Sequence, residues 1–272
     1  MLSGQRLFRT IATLALSAGI VAAACAAPAH TDGAFSAAAP QKKKSKVPEE
    51  KDPRVQCERG AVALRYGLTD EAVKYGLQAV ALDPEHFDGW NLLGTAYYTK
   101  GDFAKSAEAY EKAAAIKPGA ADVQRNLGLA YVELKETEKA EAALKRALDS
   151  DDAEAAYQMG KLCYNAKRYD EALQYALTAI RQDGKSARAY NLKGVTLNQL
   201  GRYAEAAGSF QAGIVLAPDD VGLRINMGIA YMNAGDPAKA KAVLEAVLPK
   251  IEDPAIRSQV ESYIKSIKDA GK

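Results

Sequence analysis

The feature of this 272-residue chain that most restricts its fold is a glycine that returns at a nearly constant interval. The six glycines are separated by 34, 34, 32, 34 and 34 residues, at Gly60, Gly94, Gly128, Gly160, Gly194 and Gly228. Self-similarity with a period of about 20–50 residues is typical of architectures in which each repeat packs on its neighbours. The period therefore predicts an array of stacked repeats.

Each repeat also places small side chains where two helices would cross. Ala or Ser stands twelve residues after each glycine, and Ala, Gly or Val stands nineteen residues after it. In the second repeat, apolar residues recur every three or four positions, as on one face of a helix. Gly101 with Asp102 separates two such stretches and predicts a turn, which returns at Gly201 and Gly235. The pattern predicts two antiparallel helices per repeat.

These positions resemble the tetratricopeptide repeat family, and the segment from Phe87 to Pro118 has nearly every signature residue of that family. The resemblance implies an all-α solenoid of about six helix-turn-helix repeats and a C-terminal capping helix. The third repeat departs from the pattern because Asp149 to Asp152 replace a proline turn. The repeats implied by the resemblance together cover residues 53–254 and are 53–86, 87–120, 121–152, 153–186, 187–220 and 221–254.

Residues 255–272 predict a final helix with one apolar face. Its apolar residues recur at helical spacing and are Ile256, Val260, Tyr263, Ile264 and Ile267. A stacked array needs such a helix to cover its last apolar surface, so we interpret this segment as a cap. An interaction helix for a partner is the alternative.

The N-terminal segment has the composition of an export signal. Residues 1–24 combine Arg6 and Arg9 with a 14-residue apolar run and no acidic residue, which indicates a secretory signal peptide. A membrane-spanning helix needs about 20 apolar residues, so this run is too short to be one. Small residues then precede Cys25 and resemble the lipobox of bacterial lipoproteins, although Ala22 stands where Leu is usual.

The lipobox resemblance implies a lipidated Cys25 that anchors the chain in a membrane, with Ala26 directing it to the outer membrane. Simple cleavage at Ala24 or nearby, without a lipid anchor, stays an alternative. Residues 25–52 are rich in Ala, Pro, Ser and Lys and have almost no large apolar side chain, which predicts a disordered linker.

Composition argues against several classes of function. Lys and Arg total 36 against 34 for Asp and Glu, so no basic surface for nucleic acid is expected. Neither His30 nor His86 belongs to a Cys, His, Asp or Glu cluster at metal-ligand spacing, and we expect no metal, no cofactor and no catalytic group. Cys57 and Cys163 lie about three repeats apart and predict no disulfide.

In this family the first helix of each repeat lines the concave side of the array, and that assignment identifies a candidate protein-binding groove. Its polar and aromatic members are Asn91, Tyr98, Arg125, Tyr157, Lys161, Tyr164, Arg188, Asn191 and Asn198. Its apolar members, toward the C-terminus, are Val195, Ile225, Ile229 and Met232. Such side chains can hydrogen-bond an extended peptide backbone or accept apolar anchors. The Lys and Asn positions with which chaperone adaptors of this family bind a C-terminal carboxylate are not reproduced.

These observations predict a non-enzymatic scaffold of the cell envelope. We expect an outer-membrane lipoprotein that faces the periplasm and binds another envelope protein or peptide segment in its groove. Its architecture is similar to that of lipoproteins that assist type IV pilus or secretin assembly. Two alternatives stay open: a soluble periplasmic adaptor for peptidoglycan enzymes, and an accessory domain with ligand-binding or hydrolytic activity.

Overall fold

A computed structural model describes residues 51–270, and that part of the chain forms thirteen α-helices, one short 3-10 helix and no strand. The expectation of an all-α fold is confirmed. The helices are α1 Pro53–Arg65, α2 Thr69–Leu82, α3 Phe87–Lys100, α4 Phe103–Ile116, α5 Ala121–Glu133, α6 Thr137–Leu148, α7 Ala153–Asn165, α8 Tyr169–Gln182, α9 Ala187–Gln199, α10 Tyr203–Leu216, α11 Val221–Asn233, α12 Pro237–Val247 and α13 Pro254–Ala270, with the 3-10 helix Leu248–Lys250 after α12.

Short polar side chains determine where several helices begin. A side-chain oxygen of the residue before the helix accepts a hydrogen bond from a backbone N–H in the first turn, which satisfies a group that the helix itself leaves unpaired. Asp152 lies in the shortened junction after the third repeat and still caps α7 through the Ala155 N–H at 2.9 Å. The same kind of cap is formed by Asp102, Ser186, Asp220 and Asp236.

The turn inside each helix pair requires a left-handed backbone. Gly101, Gly201 and Gly235 have φ of 83°, 76° and 76°, as the sequence predicts for these turn glycines. At the equivalent place the third and fourth repeats have Lys135 and Lys167, with φ of 61° and 59°. A side chain in this region costs about 1–2 kcal/mol, so glycine is favoured there but not obligatory.

The repeating glycine marks the closest approach of the two helices in a pair. A Cβ placed on Gly94 would lie 2.5 Å from the ring of Tyr110 on the partner helix, and one on Gly194 would lie 2.4 Å from Phe210. Between α3 and α4, Ser106 is buried and donates a hydrogen bond to the Gly94 carbonyl oxygen at 2.8 Å. The small residues predicted at the helix crossing therefore allow the two axes to approach.

The described residues form two compact units with a boundary between Ala140 and Glu141. In the first unit α1 packs on α2 and α3 on α4, and each pair also contacts the helix that follows it. Leu93, Tyr110 and Val123 are among its fully buried side chains. The stacking of successive helix pairs thus builds a continuous core within this unit.

In the second unit α7 pairs with α8, α9 with α10 and α11 with α12, and the first helices α7, α9 and α11 also contact one another in order. Leu197, Phe210 and Leu223 are fully buried between α9, α10 and α11. The contact between first helices places their outward side chains on one common face.

Helix α13 covers the last helix pair of the second unit. Val260, Tyr263, Ile264 and Ile267 are buried against residues of α11 and α12 that include Leu244. The predicted capping helix is confirmed, and its apolar face forms part of the core.

Candidate protein-binding surface

In the first unit, two of the predicted groove residues lie near a buried tyrosine of the second repeat. The Tyr110 hydroxyl lies 2.9 Å from Thr95 Oγ1, and burial raises the pKa of Tyr110 to about 12. Tyr98 and Arg125 lie close enough to influence that hydroxyl electrostatically. The Asn91 side-chain oxygen is buried and has no hydrogen-bond partner among the described residues. The structure therefore brings Tyr98 of α3 and Arg125 of α5 near the same tyrosine, while the Asn91 side chain is buried on α3.

In the second unit the predicted residues form a cluster of cations around one aromatic ring. Lys161 Nζ lies 5.7 Å from the centre of the Tyr157 ring, and the Arg188 guanidinium carbon lies 5.1 Å from the same centre. Arg188 Nη2 also donates to Glu154 Oε2 at 2.8 Å. Burial raises the pKa of the Tyr157 hydroxyl, so the ring carries a neutral phenol at physiological pH. Both cations contact the ring face, where the aromatic quadrupole attracts positive charge.

Side-chain amides connect the first helices of consecutive repeats. Asn226 Nδ2 donates to Asn191 Oδ1 at 3.0 Å, and Asn233 Nδ2 donates to Asn198 Oδ1 at the same distance. Donor and acceptor are 35 residues apart in each pair, which is one repeat plus one residue. The two bonds therefore connect equivalent turns of α9 and α11.

A third bond of this kind connects α7 with α9, since Gln199 Nε2 donates to the Tyr164 hydroxyl at 3.4 Å. We call this common face of α7, α9 and α11 the ladder surface. Its members are Glu154, Tyr157, Lys161, Tyr164, Arg188, Asn191, Asn198, Gln199, Asn226 and Asn233.

Four members of the ladder surface are not among the groove residues predicted from the sequence: Glu154, Gln199, Asn226 and Asn233. The signal that could have found them is the spacing of 34 or 35 residues to a predicted partner, as from Glu154 to Arg188. Position within the repeat identifies the face, but pairing requires side chains of matching chemistry in two neighbouring repeats. Asn226 has a structural role on this face as the donor to Asn191.

The apolar residues predicted for the C-terminal end of the groove lie in the hydrophobic core or pack against it. Ile225 is buried in the core shared with α13, and Ile229 and Met232 pack against that core. Val195 is partly buried beside the cluster around Phe210. The expectation that Ile225 faces an open groove is corrected, because α13 and α12 supply the apolar contacts that this side chain satisfies.

The two described cysteines are free thiols in different units. Burial raises the pKa of the Cys57 thiol to about 11, with the carboxylates of Asp88 and Glu58 adding to the effect. Cys163 is buried, and burial also raises the pKa of its thiol. Both thiols are protonated at neutral pH, which makes them weak nucleophiles.

The predicted signal peptide (residues 1–24), lipidation site Cys25 and linker up to residue 50 lie outside the described residues. Among the helices of residues 51–270, none combines the length and the apolar character needed to cross a membrane. Within the same residues, no three His, Cys, Asp or Glu side chains converge on a possible metal site.

Comparison with known proteins identifies the same architecture. One family model described as tetratricopeptide repeat matches residues 57–121 and 157–221, and a second with the same description matches residues 98–159 and 197–259. Together the matches extend over about three quarters of the chain.

The curated relatives are longer proteins. FlbA of Caulobacter vibrioides is 28% identical over 180 residues, which are 65% of this chain and 30% of FlbA. Hsp70-Hsp90 organizing protein 1 of Glycine max is 27% identical over 166 residues, or 59% of this chain and 29% of that protein. The chain spans between 13% and 37% of the length of the four curated relatives it matches.

Solved structures share the fold at low sequence identity. Pseudomonas aeruginosa PilF superposes with a TM-score of 0.67 at 17% identity, over 79% of this chain and 98% of PilF. YrrB, described as a TPR protein with an unusual peptide-binding site, has a TM-score of 0.54 at 22% identity, over 68% of this chain and 93% of YrrB. These similarities show that the chain shares the fold of these proteins.

Proposed function

Because the chain belongs to the tetratricopeptide repeat family, we propose that it is a non-enzymatic scaffold of the bacterial cell envelope that binds another envelope protein. Arrays of this family are scaffolds for protein–protein interaction, and they bind peptide or protein partners in a groove. The ladder surface of the second unit would be the binding surface here.

The observation that supports this proposal is the chemistry of the ladder surface. Three consecutive first helices present aromatic rings, amides and cations that remain partly exposed after they have paired with one another. Aromatic and Arg side chains are enriched where proteins bind each other, and side-chain amides can pair with the backbone of an extended segment. The paired side chains are held in position before a partner arrives, which lowers the entropy lost on binding.

The envelope location rests on the N-terminal sequence. Residues 1–24 have the features of a secretory signal, and Cys25 follows small residues as a lipidation site does. A lipidated Cys25 would hold the repeats at the inner face of the outer membrane, and residues 26–50 would span the gap between membrane and first helix. The chain would then face the periplasm.

The proposed pathway is assembly of a type IV pilus or of a secretin. A signal peptide followed by about six repeats is similar to the architecture of lipoproteins of that process, which motivates this choice. The fold of the described helices also matches PilF over 98% of the PilF chain. In this proposal the partner is a subunit that the scaffold holds near the outer membrane.

Intact-mass analysis tests the anchor directly. The protein purified from the membrane fraction of a Gram-negative host is compared with the Cys25→Ala variant. We expect a mass increment for three acyl chains on an N-terminal cysteine, lost in the variant. An unmodified N-terminus near residues 25–27 and recovery from the soluble periplasm would instead favour the periplasmic adaptor for peptidoglycan enzymes.

Site-specific photo-crosslinking tests the binding surface. A photoreactive phenylalanine analogue is placed at Tyr164 on the ladder surface, and at exposed Gln211 on α10 as the matched control. We expect a discrete crosslinked product in the envelope from position 164 and none from position 211. Equal labelling from both positions would contradict a specific partner on this surface.

An accessory role with hydrolytic or ligand-binding activity makes a different prediction. Turnover of a generic hydrolase substrate that is abolished by Tyr157→Phe or Arg125→Ala would support that alternative. We expect no such turnover, because the groups gathered on the ladder surface include no activated nucleophile paired with a base.

A further inference from the structure

The charges of the ladder surface are unbalanced. Its one carboxylate, Glu154, uses both oxygens: Oε1 accepts from Gln158 Nε2 at 2.8 Å and Oε2 accepts from Arg188 Nη2 at 2.8 Å. Lys161 forms no ion pair or hydrogen bond within residues 51–270, and its ammonium group contacts the Tyr157 ring instead. One cation on this surface therefore has no counter-charge from the described part of the chain.

The second cation is only partly engaged. The Arg188 side chain is 65% exposed, and its contact with Glu154 uses one of its N–H groups. Lys161 and Arg188 both lie within 6 Å of the centre of the Tyr157 ring. The Tyr157 ring is thus contacted by two cations from neighbouring helices, and both cations keep N–H groups that are free to donate.

The amides beside this pair also offer donors. Asn191 and Asn198 accept hydrogen bonds through Oδ1, and within residues 51–270 their Nδ2 groups donate to no partner. The two residues are two helical turns apart on α9, or about 10 Å along the helix axis. A ligand that lies along α9 would therefore meet amide donors at that spacing, and carbonyl oxygens of an extended backbone are the matching acceptors.

We propose that the ladder surface binds an extended acidic segment of the partner, with an Asp or Glu carboxylate between Lys161 and Arg188 and backbone carbonyls on Asn191 and Asn198. This inference rests on the proposed function and specifies the chemistry of its ligand. Charge complementarity supports it, because Lys161 supplies an uncompensated ammonium and Arg188 keeps N–H groups that no carboxylate of the described residues accepts. The carboxylate would receive charge-assisted hydrogen bonds from two cations.

An array of random 12-residue peptides with blocked termini tests this inference on the purified chain. We expect the bound peptides to be enriched in Asp and Glu relative to the array, and the Lys161→Met variant to bind them about tenfold more weakly. Lys265→Met is the control, since Lys265 is exposed on α13 and also forms no ion pair in the described residues. The control variant should bind as the unmodified chain does.

Each outcome decides a different question. Binding of peptides without preference for Asp or Glu, or acidic binding that Lys161→Met leaves unchanged, would overturn the inference and leave the proposed scaffold function intact. Binding of no peptide by the unmodified chain would overturn both the inference and the proposed peptide-binding surface. Circular dichroism of the variants confirms that a loss of binding is not a loss of fold.

Discussion

At the scale of single residues, the repeating glycine is explained by the ring that faces it. An added Cβ at Gly194 would lie within 2.7 Å of three carbon atoms of the buried Phe210 ring. The ring cannot retreat, because the interior around it is packed as densely as a crystal. Gly208 on α10 provides the contrast, since nothing lies within 4 Å of the position its Cβ would take.

We expect Gly194→Ala to lower the free energy of unfolding by about 1–3 kcal/mol through overpacking. Gly208→Ala should raise the free energy of unfolding by about 0.5–1 kcal/mol, because alanine loses less backbone entropy in a helix. Urea denaturation of both variants measures the difference. Equal midpoints for the two variants would contradict the close approach at Gly194.

A second residue-scale prediction concerns pH. Burial raises the pKa of Tyr110 from 10.0 to about 12. Above pH 10 the unfolded tyrosine loses its proton while the folded one keeps it, so the unfolded state gains stability. The contribution of Tyr110 is therefore fully present below pH 10 and is lost as the pH rises from 10 toward 12.

We expect the free energy of unfolding to fall above pH 10, and to fall less steeply in Tyr110→Phe, which cannot ionise. At neutral pH this variant should lose about 1 kcal/mol with the hydrogen bonds to Thr95 and Asn126. Urea titrations between about pH 8 and pH 11 measure both effects. The same slope in the variant and in the unmodified chain would show that Tyr110 is not responsible.

At the scale of helices, the amide pairs of the ladder surface connect α9 to α11. Asn233 Nδ2 on α11 donates to Asn198 Oδ1 on α9 at 3.0 Å, so the hydrogen bond forms only when the two helices lie side by side. Small buried residues set the distance between paired helices, whereas these partly exposed amides connect one first helix to the next. They can therefore be altered without opening the core.

We expect a double-mutant cycle with Asn198→Ala and Asn233→Ala to give a coupling energy of about 0.5–1.5 kcal/mol. Asn198→Ala combined with Gln211→Ala is the control, and its effects should add because Gln211 lies on another face. Thermal or urea unfolding of the four proteins in each cycle provides the values. A coupling energy near zero would mean that water replaces the bond at no cost.

At the scale of the whole molecule, a single repeat has no closed core and buries its apolar surface only against its neighbours. A terminal repeat has a neighbour on one side only, so its stability depends on a cap. Helix α13 covers the last pair of the second unit with Val260, Tyr263, Ile264 and Ile267. In a repeat array, loss of a cap affects the nearest repeats first, since each repeat contacts only its neighbours.

We expect Ile264→Ala to cost about 2–5 kcal/mol locally, and Lys265→Ala, its exposed neighbour, to stay within about 0.5 kcal/mol. Amide hydrogen exchange should show the loss of protection concentrated in α11, α12 and α13, with α7 and α8 much less affected. Uniform loss of protection across residues 141–270 would indicate all-or-none unfolding of that unit instead.

By itself the sequence determined the helix pairs, their turns and the capping helix. These follow from local chemistry and spacing: glycine at the turn of Gly101, the small Ser106 twelve residues after Gly94, and apolar residues at helical intervals in α13. The 34-residue period repeats this information, so the irregular repeat that ends at Asp152 still forms its two helices, α5 and α6.

Only the tertiary structure decided which predicted residues remain available to a partner. Position in the repeat places Ile225 and Asn191 on comparable faces, yet Ile225 is buried beside α13 while Asn191 pairs with Asn226 and keeps free donors. The physical reason is that the exposure of a side chain depends on the neighbouring element. The apolar face of α13 covers Ile225, whereas Asn226 forms a hydrogen bond with Asn191 and leaves it partly exposed. Spacing along the chain carries no information about either contact.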